Sequence, residues 1–126
     1  MKLALVLPVI ALAVFGGAAC GDEDEAVAGP TVSLMADSGG LLAYDEKTVT
    51  APAGAVTIEF NNPSTWDEGH DVVVVDAKGE EITRTDVIFE GETDTATGEF
   101  KAGKYTYYCS VGGHRRSGMQ GTLIVE

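Results

Sequence analysis

The chain has 126 residues and a formal net charge of −12, with 8 Lys and Arg against 20 Asp and Glu. This length suits one domain rather than two. The acidic balance excludes a nucleic-acid-binding protein, whose phosphate contacts depend on Lys and Arg.

The amino-terminal residues have the pattern of a secretory signal. Lys2 is followed by an apolar run from Leu3 to Phe15, and small residues at 16–19 precede Cys20. A basic start, an apolar stretch and a small-residue cleavage site together predict a signal peptide over residues 1–19. The apolar run is short for a membrane span, so an uncleaved anchor helix is the less favoured interpretation.

The segment Gly17-Ala18-Ala19-Cys20 resembles a bacterial lipobox, in which the cysteine is acylated and becomes the mature amino terminus. Gly17 departs from the leucine usual in that motif, and ordinary signal-peptidase cleavage also fits. We interpret Cys20 as a lipidation site, because a cysteine has little other use at this place. Four consecutive acids then open an acidic tether over residues 20–30. The expected location is extracytoplasmic, in the periplasm or on the outer face of a bacterial or archaeal cell membrane.

Residues 31–126 are predicted to form short strands separated by Gly, Pro, Asp and Asn turns. Apolar and polar residues alternate from Val56 to Phe60, as in a half-buried strand. The β-branched run Val72 to Val75 is typical of a strand in a sandwich core, and Tyr105 to Tyr108 is an aromatic strand. Further strands are expected at 32–35, 47–50 and 121–126, with weaker apolar patches at Ile82 and 87–89. Roughly seven or eight short strands and no amphipathic helix predict an all-β, Greek-key β-sandwich.

Cys109, His114 and Met119 lie in one short segment, with four residues between successive members. Cys109 follows the aromatic strand, so its side chain should face the same way as those of Tyr105 and Tyr107. A buried thiolate is costly unless a cation pairs with it. Thiolate and imidazole with a weak axial thioether are the donors of a blue-copper site.

Such a site needs a second imidazole, and the chain has one other histidine, His70. His70 directly precedes the Val72–Val75 run, so it should lie at a strand end, as Cys109 does. If Cys20 is lipidated, Cys109 remains as a lone cysteine, which favours a metal ligand or a reactive thiol. A Cys20–Cys109 disulfide is the less favoured alternative.

The chain resembles the cupredoxins, the small blue copper proteins that include plastocyanin, azurin, halocyanin and auracyanin. The resemblance covers Thr31 to Glu126 and is most specific in Gly69-His70-Asp71-Val72-Val73 and in Tyr105 to Leu123. The Cys-x4-His-x4-Met spacing is most similar to that of auracyanin-like members. The family pattern implies that one copper ion is bound by four ligands, with the thioether axial: His70, Cys109, His114 and Met119.

Two positions depart from the family pattern. Asp71 stands where Asn is common; it accepts hydrogen bonds but has no amide to donate, and its charge is expected to stabilise Cu(II) and lower the reduction potential. Gly112 stands in a Cys-to-His loop that usually carries Pro, and a more flexible loop is expected there.

The resemblance implies a monomeric electron carrier that cycles between Cu(I) and Cu(II) and is not an enzyme. His114 is expected to be the electron port to redox partner proteins, such as membrane respiratory or photosynthetic components. Arg115 and Arg116 flank this port and either dock an acidic partner or are solvated loop charges. Two histidines are too few for copper enzymes with further copper centres.

Other functions use the same residues. An extracytoplasmic copper carrier or chaperone without a redox role would need the same four ligands and is the main alternative. A metal-free sandwich lipoprotein and a Cys/His nucleophile pair are also open, although no feature of the sequence indicates a substrate pocket.

Overall fold

The structure, a computed structural model, describes residues 29–126. The predicted signal peptide over 1–19, the lipidation site Cys20 and most of the tether over 20–30 lie outside these residues and stay predictions. Within residues 29–126 there is no helix with the length and apolar character needed to cross a membrane.

Residues 29–126 form eight strands in two sheets. One sheet has the strand order β1-β3-β6 and the other has the order β2-β8-β7-β4-β5. The predicted all-β sandwich is therefore confirmed. The strands are β1 Thr31–Met35, β2 Thr48–Ala51, β3 Gly54–Asn61, β4 Val73–Val75, β5 Glu81–Arg84, β6 Thr93–Phe100, β7 Gly103–Tyr108 and β8 Gln120–Val125.

The core lies between the two sheets and follows the alternating pattern of the sequence. Val56, Ile58 and Phe60 of β3 are buried, while the residues between them are partly or fully exposed. Leu123 and Val125 of β8 are buried in the same core cluster. Full burial of such a side chain contributes about 1.5–3 kcal/mol, so these rows fix which face of each strand points inward.

The sequence did not predict β6, because Thr93–Phe100 is polar and buries only Ala96 and Phe100. This strand pairs with β3 along its full length, from Gly54 opposite Phe100 to Asn61 opposite Thr93. Its backbone hydrogen bonds to β3, rather than its own hydrophobicity, define it. The weak patch at 87–89 is not a strand, and Ile88 forms a single β-bridge with His70.

The pairing of β4 with β7 brings two distant parts of the chain together. The two strands are antiparallel, with Val73 opposite Tyr108. The residues that follow β7, beginning with Cys109, therefore lie beside the residues that precede β4, which include His70. The two strand ends are therefore neighbours, as a site that contains both His70 and Cys109 requires.

Tyr107 of β7 anchors the centre of the larger sheet. Its ring is 1 % exposed and packs edge-on against Tyr44, with 5.4 Å between ring centroids. Its hydroxyl donates a hydrogen bond to the Glu46 carbonyl, and burial raises the pKa of Tyr107 to about 12. The ring covers Gly121 of β8 so closely that a Cβ there would overlap it.

We expect Gly121→Ala to destabilise the copper-free protein by about 1–3 kcal/mol, because the added methyl group must displace the Tyr107 ring. Urea unfolding followed by tyrosine and tryptophan fluorescence measures this loss. Gly113→Ala is the matched control, since a Cβ at Gly113 meets no atom within 4 Å. Equal stability of the two variants would show that the Tyr107 ring yields without cost.

Candidate metal centre

Three donor atoms from two segments converge at one end of the sandwich. Nδ1 of His70 lies 3.2 Å from Nδ1 of His114, and the Cys109 sulfur lies 3.9 Å and 3.5 Å from these two nitrogens. One point is therefore roughly 2.1 Å from all three atoms, close to the bonds of about 2.0–2.3 Å that imidazole and thiolate make to zinc. The spacing suits a single first-row metal ion.

Met119 is held beside the other candidate ligands by its backbone. The Cys109 N–H donates to the Met119 carbonyl over 3.1 Å, and the Met119 N–H donates to the His114 carbonyl over 3.0 Å. The Met119 side chain is fully buried. The three loop residues predicted from their spacing are thus linked by hydrogen bonds of the protein itself.

The conformation of Gly112 explains why glycine stands in this loop. Its φ angle is +45°, in the left-handed region that glycine adopts at little cost. Proline, which is fixed near −65°, cannot take this conformation. Glycine rather than proline therefore suits this turn, in which the N–H of His114 donates to the carbonyl of Val111 over 3.0 Å.

His70 is buried, and backbone hydrogen bonds to Ile88 hold it in place. Its backbone exchanges two hydrogen bonds with Ile88, of 3.0 Å and 2.8 Å, and the Asn62 amide donates to the Ile88 carbonyl over 2.9 Å. Burial, with the neighbouring His114 ring, lowers the pKa of His70. The ring is therefore neutral near pH 7, as a metal ligand must be.

Cys109 is the sole cysteine of the described residues, and its buried thiol is free. Burial raises the pKa of this thiol to about 11, although backbone hydrogen bonds at Asp71 and Val111 act in the opposite direction. Near neutral pH the metal-free thiol is protonated. A metal ion must therefore displace this proton when it binds.

The surroundings of Asp71 contain three residues that the sequence analysis did not identify. Ser110 donates its N–H to the Asp71 carboxylate over 2.7 Å, and Arg84 donates to the same carboxylate over 3.1 Å. The Tyr44 hydroxyl donates to the Asp71 backbone carbonyl. These contacts depend on strand register, so no local sequence pattern could have identified their partners.

Comparison with known proteins agrees with this geometry. Residues 30–126 match the protein family described as copper binding proteins, plastocyanin/azurin family. The chain belongs to this family. The matched range is almost the same as the part of the chain in which the sequence resembles cupredoxins.

Solved cupredoxin structures share the fold. A dithionite-reduced auracyanin from Roseiflexus castenholzii is 26 % identical, with 79 % of this chain and 98 % of that chain covered and a TM-score of 0.70. Auracyanin A, a "blue" copper protein from Chloroflexus aurantiacus, is 28 % identical, with coverages of 78 % and 100 % and a TM-score of 0.67. An azurin from Methylomonas sp. strain J is 22 % identical, with 79 % of this chain and 99 % of that chain covered and a TM-score of 0.66. At this identity the likeness supports the fold alone.

Copper is the cofactor of this cupredoxin. The family match, the three convergent donor atoms and the buried thioether residue agree on this metal. Soft sulfur donors combined with imidazoles also favour copper over the harder cations. The residues arranged as a type 1 copper site are His70, Cys109, His114 and Met119.

The thiol of Cys109 leads to a prediction about copper binding. We expect Cu(II) binding at pH 8 to release about one proton, because a thiol with a pKa of about 11 must ionise to become a ligand. Calorimetric titrations in buffers of different ionisation enthalpy measure the number of protons released. A lower pH should weaken the apparent affinity for Cu(II), since protons compete with the metal for the Cys109 sulfur.

Met119→Leu is the control for this measurement, because it removes the thioether and keeps the thiol. It should release the same number of protons as the parent protein. Binding without proton release would mean that the Cys109 thiol is already ionised in the metal-free protein.

Proposed function

We propose that this cupredoxin is an extracytoplasmic one-electron carrier with a mononuclear type 1 copper centre bound by His70, Cys109, His114 and Met119. The observation that supports it most strongly is the set of three donor atoms, two imidazole nitrogens and one thiol sulfur, spaced 3.2–3.9 Å apart. When bound, copper supplies one-electron chemistry by alternating between Cu(I) and Cu(II). Its soft sulfur donors suit Cu(I), and imidazole suits both states.

The protein's part in electron transfer is to keep the ligands in place. His70, Cys109 and Met119 are each at most 2 % exposed, and backbone hydrogen bonds hold all three. Buried, closely packed side chains rearrange little, because interiors are packed as densely as organic crystals. Small rearrangement between oxidation states favours fast electron exchange over metal release.

His114 connects the site to the surface. Its Nδ1 faces the other donors, whereas its Nε2 lies 3.8 Å from a carboxylate oxygen of the exposed Glu68. The His114 side chain is 11 % exposed, whereas His70 is 2 % exposed, so His114 is the more accessible of the two imidazoles. We therefore propose this ring as the electron port.

The amino-terminal sequence supports the proposed location. The signal-like residues 1–19 and the cysteine at position 20 suggest export and attachment to the membrane by a lipid on Cys20. Redox partners would then be met at the outer face of the cell membrane or in the periplasm. A single chain is sufficient to supply the four ligands, which agrees with a monomer.

Optical and paramagnetic resonance spectra of residues 21–126 with Cu(II) test the proposed function. We expect an intense visible band from charge transfer between the Cys109 thiolate and copper, together with a reversible one-electron couple. Cys109→Ser should lose the band, because a hydroxyl group cannot replace the thiolate. Absence of the band in the unmutated protein would contradict the proposed centre.

The same preparation separates an electron carrier from a copper carrier. An electron carrier should retain its copper over many oxidation and reduction cycles in the presence of a competing chelator. Rapid loss of copper to the chelator, with no reversible couple, would instead favour the copper carrier or chaperone.

We further propose that Arg115 and Arg116 dock an acidic surface of the redox partner. The Arg115 guanidinium stacks 4.0 Å from the Tyr108 ring centroid, and its Nε donates to the Gln120 side chain over 3.3 Å. Arg116 is exposed. These contacts hold one positive charge in place beside His114, and a positive patch at the port would steer an anionic partner surface toward it.

The anionic oxidant hexacyanoferrate(III) serves as the probe for this surface. We expect Arg115→Glu with Arg116→Glu to slow oxidation of the reduced copper protein several-fold at low salt, because the double variant repels the anion at the port. The difference should shrink as salt screens the charges. Stopped-flow kinetics at several ionic strengths measure both effects.

Lys101→Glu with Lys104→Glu is the matched control, because it makes the same change in net charge at and just before the start of β7, the end of the strand opposite to Cys109. It should slow the reaction less, since these lysines are far from His114. Equal slowing in the two double variants would show that net charge, rather than the arginine pair, governs the reaction. The reduction potentials of both variants need to be measured to correct for driving force.

A further inference from the structure

We propose that Arg84 is a positioning and potential-determining residue of the copper site. It neutralises the buried carboxylate of Asp71 and joins that carboxylate to the segment carrying Cys109. This inference rests on the proposed electron-transfer function. It also changes the sequence-based expectation for Asp71, which considered the aspartate charge without a partner.

The Asp71 side chain is 0 % exposed and links two ligand segments. It follows His70 in the chain, and it accepts two hydrogen bonds from Ser110, the residue after Cys109. The Ser110 N–H donates to Oδ1 over 2.7 Å and the hydroxyl donates to Oδ2 over 2.5 Å. The carboxylate therefore ties the His70 segment to the Cys109 segment by its own side chain.

A carboxylate in such a place needs compensation. Burying a charge is costly unless hydrogen bonds and an opposite charge offset the lost hydration. The Ser110 donors supply hydrogen bonds but no charge. Among the residues that the structure describes, Arg84 is the cation within ion-pair distance of Asp71, with Nη2 at 3.1 Å from Oδ2.

The position of Arg84 on β5 is suited to this role. The β4–β5 pairing places Arg84 opposite Val73, two residues after Asp71. The same Nη2 also donates to the Ser110 hydroxyl over 3.0 Å, so one guanidinium nitrogen contacts both members of the link. Its other terminal nitrogen donates to Glu81 over 3.2 Å, which helps to orient the group.

The charge of the pair bears on the reduction potential. A negative charge near the centre stabilises Cu(II) relative to Cu(I), and this effect is larger in a poorly hydrated interior than in water. With Arg84 present, Asp71 and Arg84 together carry no net charge. Without Arg84, the full charge of Asp71 acts on the copper, so the potential should fall.

The first test compares reduction potentials by protein-film or solution voltammetry. We expect Arg84→Met to shift the Cu(I)/Cu(II) ratio at a fixed poise by about tenfold toward Cu(II), which is about 59 mV for a one-electron couple. Arg84→Lys keeps the charge and should restore most of the difference. Lys104→Met removes one positive charge at the far end of β7 and should shift the ratio much less.

Two results would overturn the proposal at this stage. One is an Arg84→Met potential equal to that of Lys104→Met. The other is an Arg84→Lys potential as low as that of Arg84→Met, since this would mean that the charge of residue 84 is not what matters.

The second test uses Asp71→Asn, which places a neutral side chain beside Arg84. Asp71→Asn alone should raise the potential, because it leaves the positive charge of Arg84 without a partner. The double variant with Arg84→Met should have a potential close to that of the parent protein, because two neutral side chains carry the same net charge as the ion pair. A reduction potential of the double variant as low as that of Arg84→Met alone would contradict the pairing.

The third test uses copper-free protein, so it does not depend on the proposed function. Arg84→Met should lower the urea midpoint, because it leaves a buried carboxylate without its cation. The loss should be smaller when Asp71 is already Asn, which a double-mutant cycle detects. If the charge-transfer band is absent but this coupling is present, the ion pair contributes to stability and the proposed electron-transfer function is wrong. If the coupling is absent, the proposed pairing of Arg84 with Asp71 is wrong.

Discussion

The register between β4 and β7 is the constraint on which the copper site depends. Val73 lies opposite Tyr108, and continuing the same register beyond both strands places Asp71 opposite Ser110. The Asp71–Ser110 hydrogen bonds show that the two segments do stay together past the last strand residues. A slip of one residue would turn every side chain of β7 to the other face of the sheet. It would remove the Cys109 sulfur from His70, a residue 39 positions away in the chain. The core packing that fixes this register, above all the buried Tyr107, is therefore also what assembles the metal ligands.

Around the copper site, polar contacts add to apolar packing in fixing the positions of the ligand segments. The buried polar residues of the described chain include Asn62, Ser64, Asp71 and Thr85, and none of the buried side-chain nitrogen or oxygen atoms in residues 29–126 lacks a hydrogen-bond partner. Two of these bonds lie close to His70. Thr85 accepts from the N–H of Val72, two residues after His70, and Asn62 donates to the carbonyl of Ile88, which forms a β-bridge with His70. A hydrogen bond has a preferred direction, whereas apolar packing does not. Fully satisfied polar groups thus orient the ligand segments in a way that hydrophobic burial alone cannot.

The sequence contained enough information for most strands and for the ligand set, and physical reasons explain what it lacked. Strands with alternating or continuous apolar residues, such as β3 and β4, were predictable because burial of one face shapes their composition. β6 was not, since its residues gain their structure from pairing with β3. Cys109, His114 and Met119 were predictable because they share one loop, and His70 because it is the other histidine of the chain. The contacts of Arg84, Ser110 and Tyr44 were not, because each depends on which strands become neighbours.

The two departures from the family pattern each have a structural explanation. Gly112 lies at φ +45°, so a loop with this path excludes the usual proline rather than merely lacking it. Asp71 pairs with Arg84, which is 13 residues further along and lies on the neighbouring strand of the β4–β5 hairpin. Because that hairpin is short and local, the substitution and its compensating charge lie in one continuous segment of sequence. A change of a residue beside a metal ligand therefore has to be interpreted together with the strand that packs against it. A lone carboxylate at this place is expected to lower the potential, and we propose that pairing with Arg84 offsets this effect.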